Sequence, residues 1–117
     1  MEFPKRGDIY LVNFDPTVGH EVKKSRPAVI ITNDINNEYS PVLTVIPLSS
    51  NITRVYPFEV LVPADSDRGL NKESKIMVNQ IRTVDKKRLI KKLSTVSREI
   101  IRKVEAAIRL HFDMEAE

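Results

Sequence analysis

Asp8-Ile9-Tyr10-Leu11-Val12-Asn13-Phe14, followed by Pro27-Ala28-Val29-Ile30-Ile31-Thr32, is the stretch that decides the fold. Over 8–14, Ile9, Leu11 and Asn13 fall on one face and Tyr10, Val12 and Phe14 on the other. This is a strand pattern with one well-buried face. Residues 27–32 are apolar and β-branched, which suits a central strand. Residues 42–48 form another such run, and 75–81 a further strand. Residues 53–62 alternate, interrupted by Pro57, as at an edge or a bulge. Residues 15–25 and 64–73 read as loops, and 33–37 as turn chemistry.

The period then changes. With Ser94 or Thr95 as N-cap, Val96, Ile100, Val104, Ala107, Ile108 and His111 share one side of a helix. Arg98, Arg102 and Arg109 share the opposite side, so the helix buries an apolar stripe and shows an arginine ridge. His111 reads as a packing residue, and the acidic end from Asp113 to Glu117 is expected to fray. Short strands closed by one helix indicate a single domain over residues 1–117. Its class is mainly β with added helices, a small, mostly antiparallel barrel or coiled sheet.

Composition narrows the chemistry. The 117 residues include no cysteine and two histidines. That excludes a disulfide scaffold, a thiol nucleophile and a thiolate zinc site, and argues against a histidine metal cage. No apolar run approaches the ~18 residues that cross a bilayer, and the N-terminus does not read as a signal peptide, so a cytoplasmic protein is expected. The formal charge is +3, and ten of the nineteen Lys and Arg residues lie between Arg82 and Arg109. Such asymmetry suits a polyanion partner or a solvated helix face; the helix face is the expectation for this window.

Two segments can carry chemistry. The loop after Gly19 compresses His20, Glu21, Lys23, Lys24, Ser25 and Arg26. Arg26 precedes Pro27, so its backbone is biased to extended geometry at the start of a strand. A guanidinium there suits a phosphate, because its planar fork pairs with two oxygens. Glu21 either pairs with a neighbouring cation or acts as an acid or base. The second segment is Ser49-Ser50-Asn51, whose hydroxyls and amide can cap a turn or donate to a ligand.

Arg6-Gly7-Asp8-Ile9-Tyr10-Leu11-Val12, Asp15-Pro16-Thr17-Val18-Gly19-His20-Glu21 and Arg26-Pro27-Ala28-Val29-Ile30 resemble the MazF/PemK family of toxin endoribonucleases. So do Ser49-Ser50 and Val78-Asn79-Gln80-Ile81-Arg82-Thr83-Val84-Asp85-Lys86-Lys87-Arg88-Leu89. The resemblance implies an SH3-like barrel acting as a homodimer. It also implies sequence-specific cleavage of single-stranded RNA without metal or other cofactor, and a cognate antitoxin with an acidic tail. It makes Arg26 and Ser49 the catalytic pair, Ser49 departing from the family's usual threonine. Glu21 becomes general base or orienter of Arg26, and His20 an optional aid to proton transfer. Lys23, Lys24 and Arg54 are expected on phosphates. Asn13, Phe14, Asn51 and Gln80 are expected to read bases, with Ser50 beside them. Two other classes remain open: a CcdB-like gyrase poison with the same barrel, and an inactive nucleic-acid-binding module.

Overall fold

The computed structural model describes residues 2–65 and 69–115. Seven strands form one sheet: β1 (Asp8–Asn13), β2 (Ser25–Ile30), β3 (Val42–Ser49), β4 (Glu59–Val62), β5 (Ser74–Met77), β6 (Arg82–Asp85) and β7 (Leu89–Thr95). They run antiparallel in the order β4-β5-β3-β2-β1-β7. One edge of β3 pairs with β2, and the other pairs first with β6 and then with β5. Among the described residues, two α-helices, α1 (Asp34–Tyr39) and α2 (Arg98–His111), and two single 3-10 turns, Val78–Gln80 and Lys86–Arg88, complete the elements. The class is mainly β with added helices and a C-terminal helix, as expected.

Register builds the core. Ile9 faces Val29 on β2, and Val29 faces Ile46 on β3. These three join Leu48, Ile76 and Leu93 in one apolar cluster, which α2 seals with Val104 and Ala107. On the opposite face Val12, Phe14, Ala28, Ile30 and Val45 form a second cluster, covered by Val22 from the loop and Val84 from β6. The expectation of one buried face on β1 is therefore corrected. Both faces are buried, because the sheet carries α2 on one side and the β1–β2 loop with β6 on the other. Each such buried Val or Ile contributes about 1.5–3 kcal/mol.

The N-terminal Arg6-Gly7-Asp8 segment joins these layers. Arg6 donates to Ile31 O at 2.9 Å and pairs with Glu105 of α2 at 2.9 Å, while its N–H donates to Asp34 of α1 at 2.7 Å. Gly7 has φ +95° and lies against Val96 and Ile101, so any side chain there would be strained. The buried Asp8 carboxylate accepts from Lys5 N–H and Thr95 Oγ and pairs with Lys92 at 3.4 Å. The Tyr10 phenol is pushed above its usual value by burial and then by the Asp8 and Glu2 carboxylates, so it stays neutral.

Five expectations change. Residues 33–37 do not form a turn: Asn33 caps α1 by accepting from Asn36 N–H, and Pro41 follows its end. Asn and Asp serve turns and helix starts alike, so the local signal was ambiguous. The basic window 82–109 is not one helix face: Arg82 lies on β6 and Lys91 and Lys92 on β7, with the 3-10 turn 86–88 between, and only Arg98, Arg102, Lys103 and Arg109 are on α2. The N-cap of α2 is Ser97, whose Oγ accepts from Ile100 N–H, while Ser94 and Thr95 finish β7. His111 is exposed and packs edge-on against Phe112 instead of the core. Strand β4 also starts later than expected, after the turn that contains Pro57. The expected 64–73 loop is described at 64–65 and 69–73. Residues 66–68 of it, and 116–117 of the acidic tail, lie outside the described residues.

Ile46 is fully buried and Ile35 is 77% exposed. Ile46→Ala is expected to destabilise by about 2–5 kcal/mol in denaturant unfolding. Ile35→Ala should stay within ~0.5 kcal/mol of the wild type. Equal effects of the two substitutions would contradict the assignment of the core.

Candidate active site

Antiparallel pairing brings several strand termini to one end of the sheet. Asn13 ends β1 opposite Ser25 at the start of β2. The β2–β3 ladder pairs Ala28 with Pro47. Arg26 lies two residues beyond Ala28 and Ser49 two beyond Pro47, so both emerge on the same face at this end. Ser49 pairs with Lys75 of β5.

A groove of about 760 Å³ opens here. Its walls include Lys23, Lys24, Arg26, Ser49 and Ser50, and its floor is apolar, with Leu11, Pro27, Leu48, Leu70 and Leu93. A second cavity of about 330 Å³ is bounded by Gly19, His20, Glu21, Lys23 and Gln80, and Arg26 lines it too. Arg26 thus stands in the partition between the two. It is half-buried, and its Nε is enclosed without a hydrogen-bond partner. Arg82 Nη1 and Asn37 Oδ1 are likewise enclosed without a partner; Arg26 differs in facing two cavities, from which a ligand or solvent can supply the acceptor.

The loop carrying the remaining residues is held by its own hydrogen bonds. Phe14 N–H donates to Lys24 O at 2.9 Å, and Lys24 N–H donates to Asp15 Oδ1 at 2.8 Å. At the tip, Glu21 Oε1 accepts from Val18 N–H at 2.8 Å, and Glu21 N–H donates to Val18 O at 3.2 Å. Gly19 has φ +57°, the left-handed geometry that this tight reversal uses. Gln80 Nε2 donates to His20 O at 3.4 Å. Ser49 Oγ accepts from Asn51 N–H at 3.1 Å, so it does cap a turn, yet its hydroxyl hydrogen stays free to donate.

The structure thus gathers His20, Glu21, Lys23, Lys24, Arg26, Ser49, Ser50 and Gln80 around two adjoining cavities. Three others are near the sheet end but line neither. Asn13 is exposed, with its Oδ1 accepting from Asp15 N–H. Asn51 Oδ1 accepts from Thr53 N–H. Arg54 donates to Tyr56 Oη and lies over its ring. Phe14 corrects the sequence reading outright. It is 0% exposed, packed in the second core cluster beneath the Arg82 guanidinium, and presents no face to a base. Its position after Asn13 continues the alternation that buried Val12.

Sequence reasoning missed Lys72 and Lys91, which also line the groove. Lys91 was hidden in a basic run taken for a helix face, and Lys72 in a loop without a motif. Among the described residues, no group of three or more His, Cys, Asp or Glu is placed to hold a metal ion. No helix among them is long and apolar enough to cross a membrane.

The architecture is that of solved MazF toxins. MazF from Deinococcus radiodurans superposes with a TM-score of 0.83 at 24% identity, over 97% of this chain and 100% of that one. A mycobacterial endoribonuclease in complex with its cognate antitoxin gives 0.74 at 19% identity, over 100% of both chains. Residues 5–112 match the model of the PemK-like, MazF-like toxins of type II toxin–antitoxin systems. The chain is 37% identical to endoribonuclease MazF9 of Mycobacterium tuberculosis, over 94% of this chain and 97% of that protein. It is 36% identical to endoribonuclease EndoA of Bacillus subtilis, over 91% of each. The chain belongs to the MazF/PemK toxin family.

Phe14 provides a test of the boundary between core and site. Phe14→Ala should destabilise by about 3–5 kcal/mol. Phe14→Leu should fold and bind single-stranded RNA with unchanged affinity in a filter-binding assay. Loss of binding by the folded leucine variant would place the ring against the ligand after all.

Proposed function

We propose that this chain, as one domain over residues 1–117, is the toxin of a type II pair. It cleaves single-stranded RNA, mRNA above all, at a short sequence and thereby stops translation and growth. The observation that carries this reading is the Arg26 guanidinium, shared by two cavities and lacking an acceptor at Nε, on the same groove as the Ser49 hydroxyl. The names of the relatives, endoribonucleases MazF9 and EndoA, support it.

The reaction needs no nucleophile from the protein. The ribose 2′-oxygen attacks the adjacent phosphorus and the bond to the 5′-oxygen breaks. The products are a 2′,3′-cyclic phosphate and a 5′-hydroxyl. One proton leaves the 2′-hydroxyl and one reaches the 5′-oxygen, so the step balances without water, metal or cofactor. Arg26 stabilises the charge that develops on the non-bridging oxygens. Ser49 donates its free hydrogen to the scissile phosphate and positions it. Glu21 takes the 2′-proton, or else shapes the loop that carries His20 beside Arg26. Lys23 and Lys24 hold neighbouring phosphates, with Arg54 further along the strand. Asn13, Ser50, Asn51 and Gln80 are placed by strand ends and loops, where unstacked bases are read. The toxin works in the cytoplasm as a homodimer, and an antitoxin blocks the groove, as the antitoxin-bound relative suggests.

Arg26→Ala should abolish cleavage of a long single-stranded RNA in EDTA while leaving the unfolding midpoint unchanged. Primer extension and end-labelling of the wild-type digest should give one recurrent sequence, with 5′-hydroxyl ends. Trapped DNA breaks in a gyrase assay without RNA cleavage would replace the nuclease with a poison. Ser49→Ala should slow cleavage by orders of magnitude, and Ser49→Thr should keep or raise the rate.

Glu21 separates into two roles by substitution. Glu21→Gln keeps the acceptor for Val18 N–H but cannot take a proton. If Glu21 is the base, Gln should lose as much activity as Ala. Activity retained in Gln and lost in Ala would assign it to the loop alone.

A further inference from the structure

The cations of the groove do not all lie on the side expected from sequence. Lys23 and Lys24 come from the β1–β2 loop. Lys72 comes from the segment before β5, and Lys91 from β7. Among the described residues, those lining the groove include five cations, with Arg26, and no carboxylate. Elsewhere the lysines of these elements are neutralised. Lys75 pairs with Glu59 at 3.2 Å, and Lys92, adjacent to Lys91, pairs with Asp8 at 3.4 Å. Lys72 and Lys91 have no ion pair among the described residues. The alternation of β7 thus directs Lys91 into the groove beside Leu11 and Leu93, and Lys92 to a buried carboxylate.

Like charges around a concave wall with an apolar floor focus a positive potential that a polyanion relieves. We propose that Lys72 and Lys91 form a second phosphate-binding arm. They grip a different stretch of the RNA backbone from Lys23 and Lys24, with sugar or base laid on the leucine floor between. The proposal rests on the reading of this groove as an RNA site. Both lysines act on binding, not on the chemical step, because neither lines the second cavity, which Arg26 borders with Glu21 and His20. The fold does not depend on either, since both are exposed and unbridged.

The test uses the full chain and a 2′-O-methyl single-stranded RNA that cannot be cleaved. Binding is followed by fluorescence anisotropy over a KCl series. For single strands each phosphate contact contributes about −0.7 to the slope of log affinity against log salt. Lys72→Ala and Lys91→Ala should each reduce the magnitude of the wild-type slope by ~0.7, and the double variant by about twice that. In cleavage of unmodified RNA they should raise KM several-fold and leave kcat unchanged, and Lys91→Arg should restore KM. Lys103→Ala removes the same charge from α2, where Lys103 pairs with Glu99, and should change neither quantity.

A wild-type slope that persists in both alanine variants would overturn the second arm while leaving the nuclease intact. So would a fall in kcat at saturating RNA, which would move the lysines into the chemistry. A wild type that neither binds RNA in a salt-dependent way nor cleaves it would remove the RNA reading, and the arm with it.

Discussion

The structure depends on one constraint: β1, β2 and β3 are buried on both faces. The line Ile9–Val29–Ile46 packs towards α2, and Tyr10, Val12, Ala28, Ile30 and Val45 pack the other way. Most middle positions of these strands are apolar and buried, among them Ile9, Val12, Ala28, Val29, Leu43, Val45 and Ile46. The proposed site therefore falls at strand ends, and antiparallel pairing sends the end of β1, the start of β2 and the end of β3 to one place. Arg26 and Ser49 are distant in sequence and adjacent in the sheet for this reason alone. Pro27 fits the same logic, because it precedes Ala28, where the ladder to β3 begins, and fixes the strand from which Arg26 projects.

The most recognisable part of the sequence is scaffold. Arg6, Gly7 and Asp8 make no contact with either cavity. Arg6 joins α1, the end of β2 and α2, Gly7 supplies a φ of +95° beside Val96 and Ile101, and Asp8 holds β7 through Thr95 and Lys92. The pair Val96 and Ile101 brackets the Ser97 cap in the positions of a hydrophobic staple, which fixes the entry angle of α2. A motif can thus announce a family through the geometry its fold needs, while the reactive groups sit in less distinctive surroundings.

What was legible in the sequence follows from this division. Strands with strong apolar alternation, β1 to β3, were readable because burial on either face leaves an apolar signature. Strands β6 and β7 were not. Their outward residues, Arg82, Lys91 and Lys92, are charged, and a basic run on a strand looks like one on a helix until pairing is known. Arg26 and Glu21 were readable from the company they keep, a proline and a cluster of charges. Phe14 misled because alternation names a face but does not say whether that face meets solvent or a second core. Lys72 and Lys91 could not be found locally, since only the approach of β7 and the 69–74 segment to the same groove brings them together.

The basic window 82–109 divides by structure into groups with different work. Arg98, Arg102 and Arg109 remain a solvated ridge on α2. Arg88 is neither ridge nor anion site. Its guanidinium donates to Asn13 O at 3.1 Å and Asp15 O at 2.6 Å, clamping the base of the β1–β2 loop. With the Phe14–Lys24 bond, the Val18–Glu21 reversal, the buried Val22 and the Gln80 contact, the loop is fixed at several points along its length. A loop so held can carry exposed His20, Glu21 and Lys23 without reordering when a phosphate arrives. That is what electrostatic stabilisation of a developing charge requires, because dipoles that must first turn give back much of what they stabilise. The charge excess of the C-terminal half therefore reaches the proposed site partly at second hand, through an arginine that orders the loop on which the acidic half places the groups proposed to act on the phosphate.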